Sequence, residues 1–349
     1  MKKILLFLLC SLLLITDVYA SNYVVMDMDS GRVLASRSMH EEKLIASITK
    51  IMTCIIVIEN SNLDKEITVG EEILKMYGTN IYVEVGEKLK VIDLLYGLML
   101  RSGNDAAITL AVNTSGSEEE FVKLMNKKAL EIGMKNTKFS NAHGLDDESR
   151  NYSTAYDMAL LSRYAYKNEI YRKIINTKKY ISKSSLKTYV WYNRMSLLNN
   201  YKYCLGGKNG YTPRAGKTLV SVAKKDGVTL TIASLDDNDI YETHEYLYDK
   251  YFDKYKLYTI VDKNKFVIDK TLYPEDIYLK KSFKYLLTLE ESKSVTTLIK
   301  LNEKVNSNVI GEIIISLDNE EIGRLNIYKK EKKKDRLTIF QKFKNLIIR

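Results

Sequence analysis

The chain has 349 residues, 45% of them apolar and 28% charged, which is long enough for two domains with sizeable cores. Its formal charge of +10 favours an anionic neighbour such as phospholipid or wall polymer. There is no zinc-finger spacing, no Walker or dinucleotide glycine motif, and no cluster among the three histidines and three cysteines, so nucleic acid is the weakest partner and no metal site is expected.

Lys2 and Lys3 open the chain, residues 4–15 form an apolar run, and Val18 and Ala20 occupy the small-residue positions before a cleavage point. This pattern reads as a secretory signal peptide, residues 1–20, cut after Ala20. An uncleaved anchor fits less well, because the run is shorter than the ~20 residues a spanning helix needs. Cys10 falls inside that run, which leaves Cys54 and Cys204. Two cysteines so far apart are expected to be buried free thiols.

Residues 23–36 predict two strands around Asp29-Ser30-Gly31, a cluster of turn formers between apolar runs. Residues 48–58 are almost continuously apolar and predict a helix buried on most sides. A second helix is expected over 91–100, broken at Ser102-Gly103, with the helical pattern resuming over 105–112. Ser117 with Glu120 three residues on is a capping box. It opens a helix carrying Phe121, Leu124, Met125 and Ala129. Thr154 and Asp157 repeat that spacing before 158–164. Residues 217–223 and 228–234 predict a hairpin turning at Lys224-Lys225-Asp226-Gly227.

Beyond about residue 252 the helical period fades. Short β-rich runs take over at 296–301, 309–316 and, after an Asp318-Asn319 turn, 322–327. They predict a small β-domain over 253–328. Residues 329–336 are strongly basic, and Leu337, Phe340, Phe343, Ile347 and Ile348 then alternate with Lys342, Lys344 and Arg349. This is the pattern of an amphipathic helix over 329–349. Lying on an anionic membrane, it would gain about 1 kcal/mol per basic residue. The blander reading is a solvated tail.

Three short stretches carry chemistry. In Ser47-Ile48-Thr49-Lys50 a serine and a lysine three apart share one helix face. A lysine whose pKa is lowered by burial can act as base for the serine hydroxyl. Ser102-Gly103-Asn104 sits in the helix break, where the hydroxyl can relay protons and the amide can bind a substrate peptide. Lys208-Asn209-Gly210, after Gly206-Gly207, opens a strand where a lysine can attract a carboxylate. Each stretch alone is weak: a capping serine, a turn, a glycine-rich loop. Their order along the chain is the stronger signal.

That order resembles the active-site serine penicillin-recognising enzymes, with their Ser-x-x-Lys, Ser-x-Asn and Lys-Thr-Gly elements. Within them the chain is similar to the D-alanyl-D-alanine carboxypeptidases of peptidase family S11, over roughly residues 22–252. Residues 46–53, 101–107, 141–145, 152–155 and 206–212 carry the likeness. Residues 236–252, with His244, look most like a sporulation-associated branch.

The resemblance implies an α+β fold: a penicillin-binding, β-lactamase-like catalytic domain over 21–252, followed by the small all-β, sandwich-like domain and the amphipathic tail. It implies Ser47 as acylated nucleophile, Lys50 as general base and Ser102 as relay. Asn104, Lys208, Asn209 and Gly210 would bind substrate, and the backbone N–H of Ser47 and of Tyr211 would form the oxyanion hole. The implied substrate is a peptidoglycan stem peptide ending in D-Ala-D-Ala, with β-lactams as covalent inhibitors and no cofactor or metal. The chain departs from the family pattern at Asn209, where a threonine is expected. Asparagine still donates a hydrogen bond, yet the change keeps a non-catalytic wall-binding protein in view. A β-lactamase is the nearest enzymatic rival, and no glutamate near 140–165 matches its deacylating residue. His143 and His244 are expected to be structural.

Overall fold

The computed structural model describes residues 22–330 except 272 and 303–307. The expected signal peptide, and the expected amphipathic tail beyond residue 330, lie outside the described residues. The chain divides into two compact units, Met1–Asp253 and Lys254–Arg349.

The first unit is built on a five-stranded antiparallel sheet. Strands β1 (Asn22–Asp27) and β2 (Val33–Arg37) form the expected N-terminal hairpin. Strands β3 (Cys204–Thr212), β4 (Gly216–Lys225) and β5 (Val228–Leu235) follow much later in the chain. The spatial order is β2-β1-β5-β4-β3. The β4–β5 turn is Asp226-Gly227, both at positive φ, which matches the right-handed twist of the strands it joins. β3 is therefore an edge strand, and one side of its backbone ladder pairs with no other strand of the sheet.

A helical cluster covers one face of this sheet. Helix α1 (Lys50–Asn60) runs through its centre, fully buried from Lys50 to Val57, as its unbroken apolar sequence requires. Around it pack α3 (Asn104–Ser115), α4 (Glu118–Ile132), α5 (Ala155–Ala165) and α6 (Glu169–Asn176). Ser117 Oγ accepts the Glu120 amide at 3.2 Å, and Thr154 Oγ1 accepts that of Asp157 at 3.1 Å, so both expected caps form. The other face of the sheet carries α7 (Ile240–Lys254). There His244 sits between Ser221 on β4 (2.6 Å) and Ser234 on β5 (3.0 Å). Cys54 and Cys204 are free and buried.

Residues 91–101 form one continuous helical segment that changes winding. α2 (Val91–Tyr96) passes into a π turn, Gly97–Arg101, and ends at Ser102 in the left-handed conformation. Insertions of this kind commonly mark functional positions.

The second unit pairs β6 (Lys256–Val261) with β8 (Phe283–Leu287). Its four-stranded sheet takes the order β7 (Ile277–Leu279), β11 (Glu320–Lys329), β10 (Val309–Leu317), β9 (Val295–Leu301). Ile310, Ile313, Ile315, Leu325 and Ile327 form its core. A groove of about 610 Å³ beside Ile260, Phe266, Ile299 and Ile313 contains none of the three chemical stretches. Among the described residues, no group of His, Cys, Asp or Glu could hold a metal ion, and no helix is long and apolar enough to cross a membrane.

Candidate active site

Ser47 stands on a single 3-10 turn, Ala46–Thr49, directly before α1. The sequence placed it on the helix itself. The tighter turn keeps the three-residue offset on one face, because i and i+3 eclipse in a 3-10 helix. Ala46 enters the turn at φ +48, a left-handed conformation that costs a non-glycine residue on the order of 1 kcal/mol. The backbone of Gly144 presses on that residue from behind. A Cβ on Gly144 would lie 2.1 Å from the Ala46 carbonyl oxygen, so only glycine fits.

Lys50 is completely buried. Its Nζ lies 3.0 Å from Ser47 Oγ, 2.7 Å from Asn104 Oδ1 and 2.5 Å from the His143 carbonyl oxygen. Burial holds its pKa well below the usual lysine range, and the charge of Lys208 pushes in the same direction. A neutral amine has two N–H groups and one lone pair. The two carbonyl-type acceptors take both hydrogens, and the lone pair is left for the Ser47 hydroxyl.

The loop supplying the His143 carbonyl is itself held from several sides. Thr53 Oγ1 donates to the Ala142 carbonyl at 2.6 Å. Asn151 donates to Thr49 Oγ1 and accepts from the amides of Ser140 and Asn141. The His143 ring accepts the Leu145 amide at Nδ1 and faces Glu118 at 3.6 Å through Nε2. Burial, reinforced by Lys50, lowers its pKa to about 3. His143 thus serves through its backbone, and its ring stays neutral.

Asn104 opens α3 and bridges to a neighbouring loop, its Nδ2 donating to the Tyr77 carbonyl at 2.7 Å. The next residue, Asp105, accepts the amides of Ile81, Tyr82 and Val83. Tyr82 is left at φ +63 with an exposed ring. The left-handed Ser102 hydroxyl makes no hydrogen bond to Ser47 or Lys50 among the described residues.

β3 brings the third stretch to the same place. The alternation of the strand puts Lys208 and Gly210 on the helical face, opposite Val220 and Thr218. A Cβ on Gly210 would lie 2.7 Å from the Ser47 amide nitrogen, so the edge strand runs against the nucleophile turn. Lys208 is buried and donates to the Asn209 carbonyl at 2.5 Å. Burial, with the charge of Arg194 second, lowers its pKa to about 7. Asn209 and Tyr211 fall on the α7 face and line a cleft of about 440 Å³ with Lys217 and residues 238–242. Ser47, Lys50, Asn104 and Gly210 are therefore brought together, with Lys208 on the same strand face as Gly210, although their motifs lie far apart in sequence.

The family profile described as D-alanyl-D-alanine carboxypeptidase, peptidase S11, matches residues 13–239. The chain belongs to this family. Among curated relatives, DacF of Bacillus subtilis, named a D-alanyl-D-alanine carboxypeptidase, is 32% identical over 82% of this chain and 74% of its own. Penicillin-binding protein 5 of Haemophilus influenzae superposes with a TM-score of 0.72 at 25% identity, covering 90% of this chain and 97% of that one. A point variant of the Streptomyces K15 DD-transpeptidase covers only 66% of this chain but 96% of its own, with a TM-score of 0.61 and 30% identity. This S11 carboxypeptidase is thus a serine hydrolase of peptidoglycan metabolism with the α+β penicillin-binding fold. The family identity brings a D-Ala-D-Ala peptide substrate and reactivity with β-lactams.

Arg194 escaped the sequence reading. No short motif contains Arg194. It follows a hairpin of residues 179–192, and its backbone amide donates to the Leu100 carbonyl at 3.1 Å, close in sequence to the Ser102 break.

Proposed function

We propose that this carboxypeptidase works through a Ser47 acyl-enzyme with Lys50 as general base. The observation that carries the assignment is the buried Lys50 amine, whose two hydrogens are engaged by Asn104 and His143 while Ser47 Oγ takes the third direction.

Ser47 Oγ attacks the carbonyl carbon of the penultimate D-alanine as its proton passes to Lys50 Nζ. The carbonyl oxygen gains negative charge opposite the backbone N–H groups of Ser47 and Tyr211, each such donor contributing about 3 kcal/mol. Collapse of the tetrahedral adduct breaks the C–N bond. The leaving nitrogen takes a proton delivered from Lys50, with Ser102 as relay, and D-alanine departs. Water then adds to the ester as Lys50 takes one of its protons, the acyl C–O bond to Ser47 breaks, and that proton passes from Lys50 to Ser47 Oγ. Asn104 and Gly210 position the peptide, while Lys208, on the same strand face as Gly210, attracts the terminal carboxylate; Asn209, which stands where the family has threonine, turns its side chain to the other face of the strand.

Ser47→Ala is expected to abolish labelling by a fluorescent penicillin and D-alanine release from a diacyl-Lys-D-Ala-D-Ala peptide. Persistent labelling at wild-type rate would remove Ser47 from its role.

The basic, amphipathic pattern of the terminal residues supports a finer reading: export by the N-terminal signal and attachment of the tail to the outer face of the cytoplasmic membrane. Deleting residues 331–349 should release the protein from anionic vesicles in a sedimentation assay. Equal sedimentation of both forms would count against the tail. The likeness of residues 236–252 to the sporulation-associated branch supports action on spore cortex rather than vegetative wall. Pentapeptide stems accumulating only in the vegetative wall of a deletion strain would reject that assignment.

A further inference from the structure

The four-stranded sheet of the second unit leaves one edge uncovered. β9 pairs with β10 and, among the described residues, with no other strand. The Asn302 amide donates to the Ile310 carbonyl at 2.8 Å. Bonded residues alternate in an antiparallel ladder, so Leu298 and Lys300 also turn their backbone groups toward β10. The amides and carbonyls of Thr297, Ile299 and Leu301 therefore point away from the sheet. Edge strands are normally blunted by shortness, proline, a bulge or charge. β9 has 7 residues in unbroken register, without proline, and Lys300 is its single charge.

The side chains beside this edge are apolar. Thr297 and Ile299 line the groove of about 610 Å³ together with Ile260, Phe266, Val267 and Ile313. Ile299 is 42% exposed and Val267 82%, while Leu298, on the outer face of β9, is 55% exposed. Free backbone groups next to an apolar groove fit an added strand whose alternate residues are apolar.

Chain order says where such a strand comes from. β9, β10 and β11 are consecutive antiparallel strands. In a Greek key the next segment returns by a longer connection to lie beside the first of three such strands. The next segment here is the tail. β11 finishes at the Leu301 end of the sheet, because Tyr328 pairs with Val309 and Leu301 with Gly311. There the Lys330 amide donates to the Asp276 carbonyl at 2.7 Å. Reaching the outer side of β9 means crossing three strand spacings, about 14 Å. Residues 331–336, when extended, carry the chain up to about 23 Å, and their charges suit a solvated connection. Residues 337–343 then alternate. Run antiparallel to β9 with Leu337 opposite Leu301, they put Leu337, Ile339 and Phe343 on the groove side, with Gln341 opposite Thr297. Phe340 meets Leu298 on the outer face. Lys342 falls opposite Thr296 and Lys300 opposite Thr338, so no like charges face each other.

We infer that, away from a membrane, residues 337–343 add to β9 as a further strand and fill the groove. Membrane attachment draws on the same apolar residues, so the docked and the lipid-bound tail are alternatives. The inference is independent of the acyl-enzyme reading.

Paired cysteines test it in the full-length protein without lipid. Cys54 and Cys204 are buried, and Cys10→Ala removes the remaining thiol. Leu298 and Phe340 are a non-hydrogen-bonded pair in this register, with a Cα separation of about 4.5 Å, within disulfide reach. Leu298→Cys/Phe340→Cys should close an intramolecular disulfide at least about tenfold faster than Leu298→Cys/Lys344→Cys, whose tail cysteine lies about 13 Å farther along the strand. Equal rates for the two pairs would mean an undocked tail and overturn the inference. So would a disulfide-linked dimer of Leu298→Cys alone that forms as fast as the intramolecular bond, since a second copy would then occupy the edge. Hydrogen exchange reads the same contact without substitution. The Thr297 and Ile299 amides should exchange at least about tenfold more slowly in the full-length protein than in one ending at Lys330, with the Leu298 amide as reference. Equal exchange in both proteins also overturns the inference. Sedimentation with anionic vesicles tests the membrane reading separately, because the tail can bind lipid whether or not it docks in solution.

Discussion

At residue scale, burial pushes two kinds of base toward their neutral forms for different ends. For Lys50 it favours the form that has a lone pair for chemistry. His143 and His244 lose their charge to burial, with pKa values lowered to about 3, and act only as hydrogen-bonding spacers. That has a consequence for stability. Below about pH 6.5 the unfolded chain protonates both histidines, whereas the folded chain resists down to about pH 3. The unfolded state then binds more protons, so stability falls as the pH drops through this window, at up to about 1.4 kcal/mol per pH unit for each histidine. Urea midpoints between pH 7 and pH 4 should fall less steeply in His244→Gln than in wild type. Parallel curves would show that His244 is not the titrating group.

At the scale of elements, the nucleophile is set by a collision avoided. The 3-10 turn that lifts Ser47 needs Ala46 at positive φ, and the 141–145 loop braces it through Gly144, itself at φ +90. Gly144→Ala would drive a methyl group into the Ala46 carbonyl. Its acylation by penicillin is expected to slow at least about tenfold, from the displaced turn and the strained φ together. Unchanged acylation kinetics would mean that the loop yields and the turn is self-supporting. The π turn at 97–101 has a comparable role. One extra residue in the winding precedes the point where the chain leaves the helix at Ser102 and re-enters it at Asn104.

For the whole molecule, every residue assigned to the chemistry lies in the first unit, Met1–Asp253. That unit has its own sheet and a continuous core around α1. A chain ending at Lys254 should therefore fold and be acylated by penicillin within about threefold of the full-length rate, since a unit with its own core folds alone. Thermal unfolding and acylation kinetics of that truncation provide the measurement. Aggregation, or a tenfold slower acylation, would show that the β-unit supports the catalytic one.

Much was legible in the sequence because it was local. The caps at Ser117 and Thr154, the Asp226-Gly227 turn and the buried helix after Ser47 follow from residues three or four apart, where side chain and backbone meet without help from the rest of the chain. The ordered serine, lysine and asparagine stretches named the chemistry for a similar reason: each is a short unit whose internal spacing is its geometry. What decided the direction of the Lys50 pKa shift, the role of the His143 carbonyl and the approach of Gly210 on β3 to the Ser47 turn was tertiary. Desolvation and proximity are properties of groups gathered from distant positions, and no local spacing encodes them.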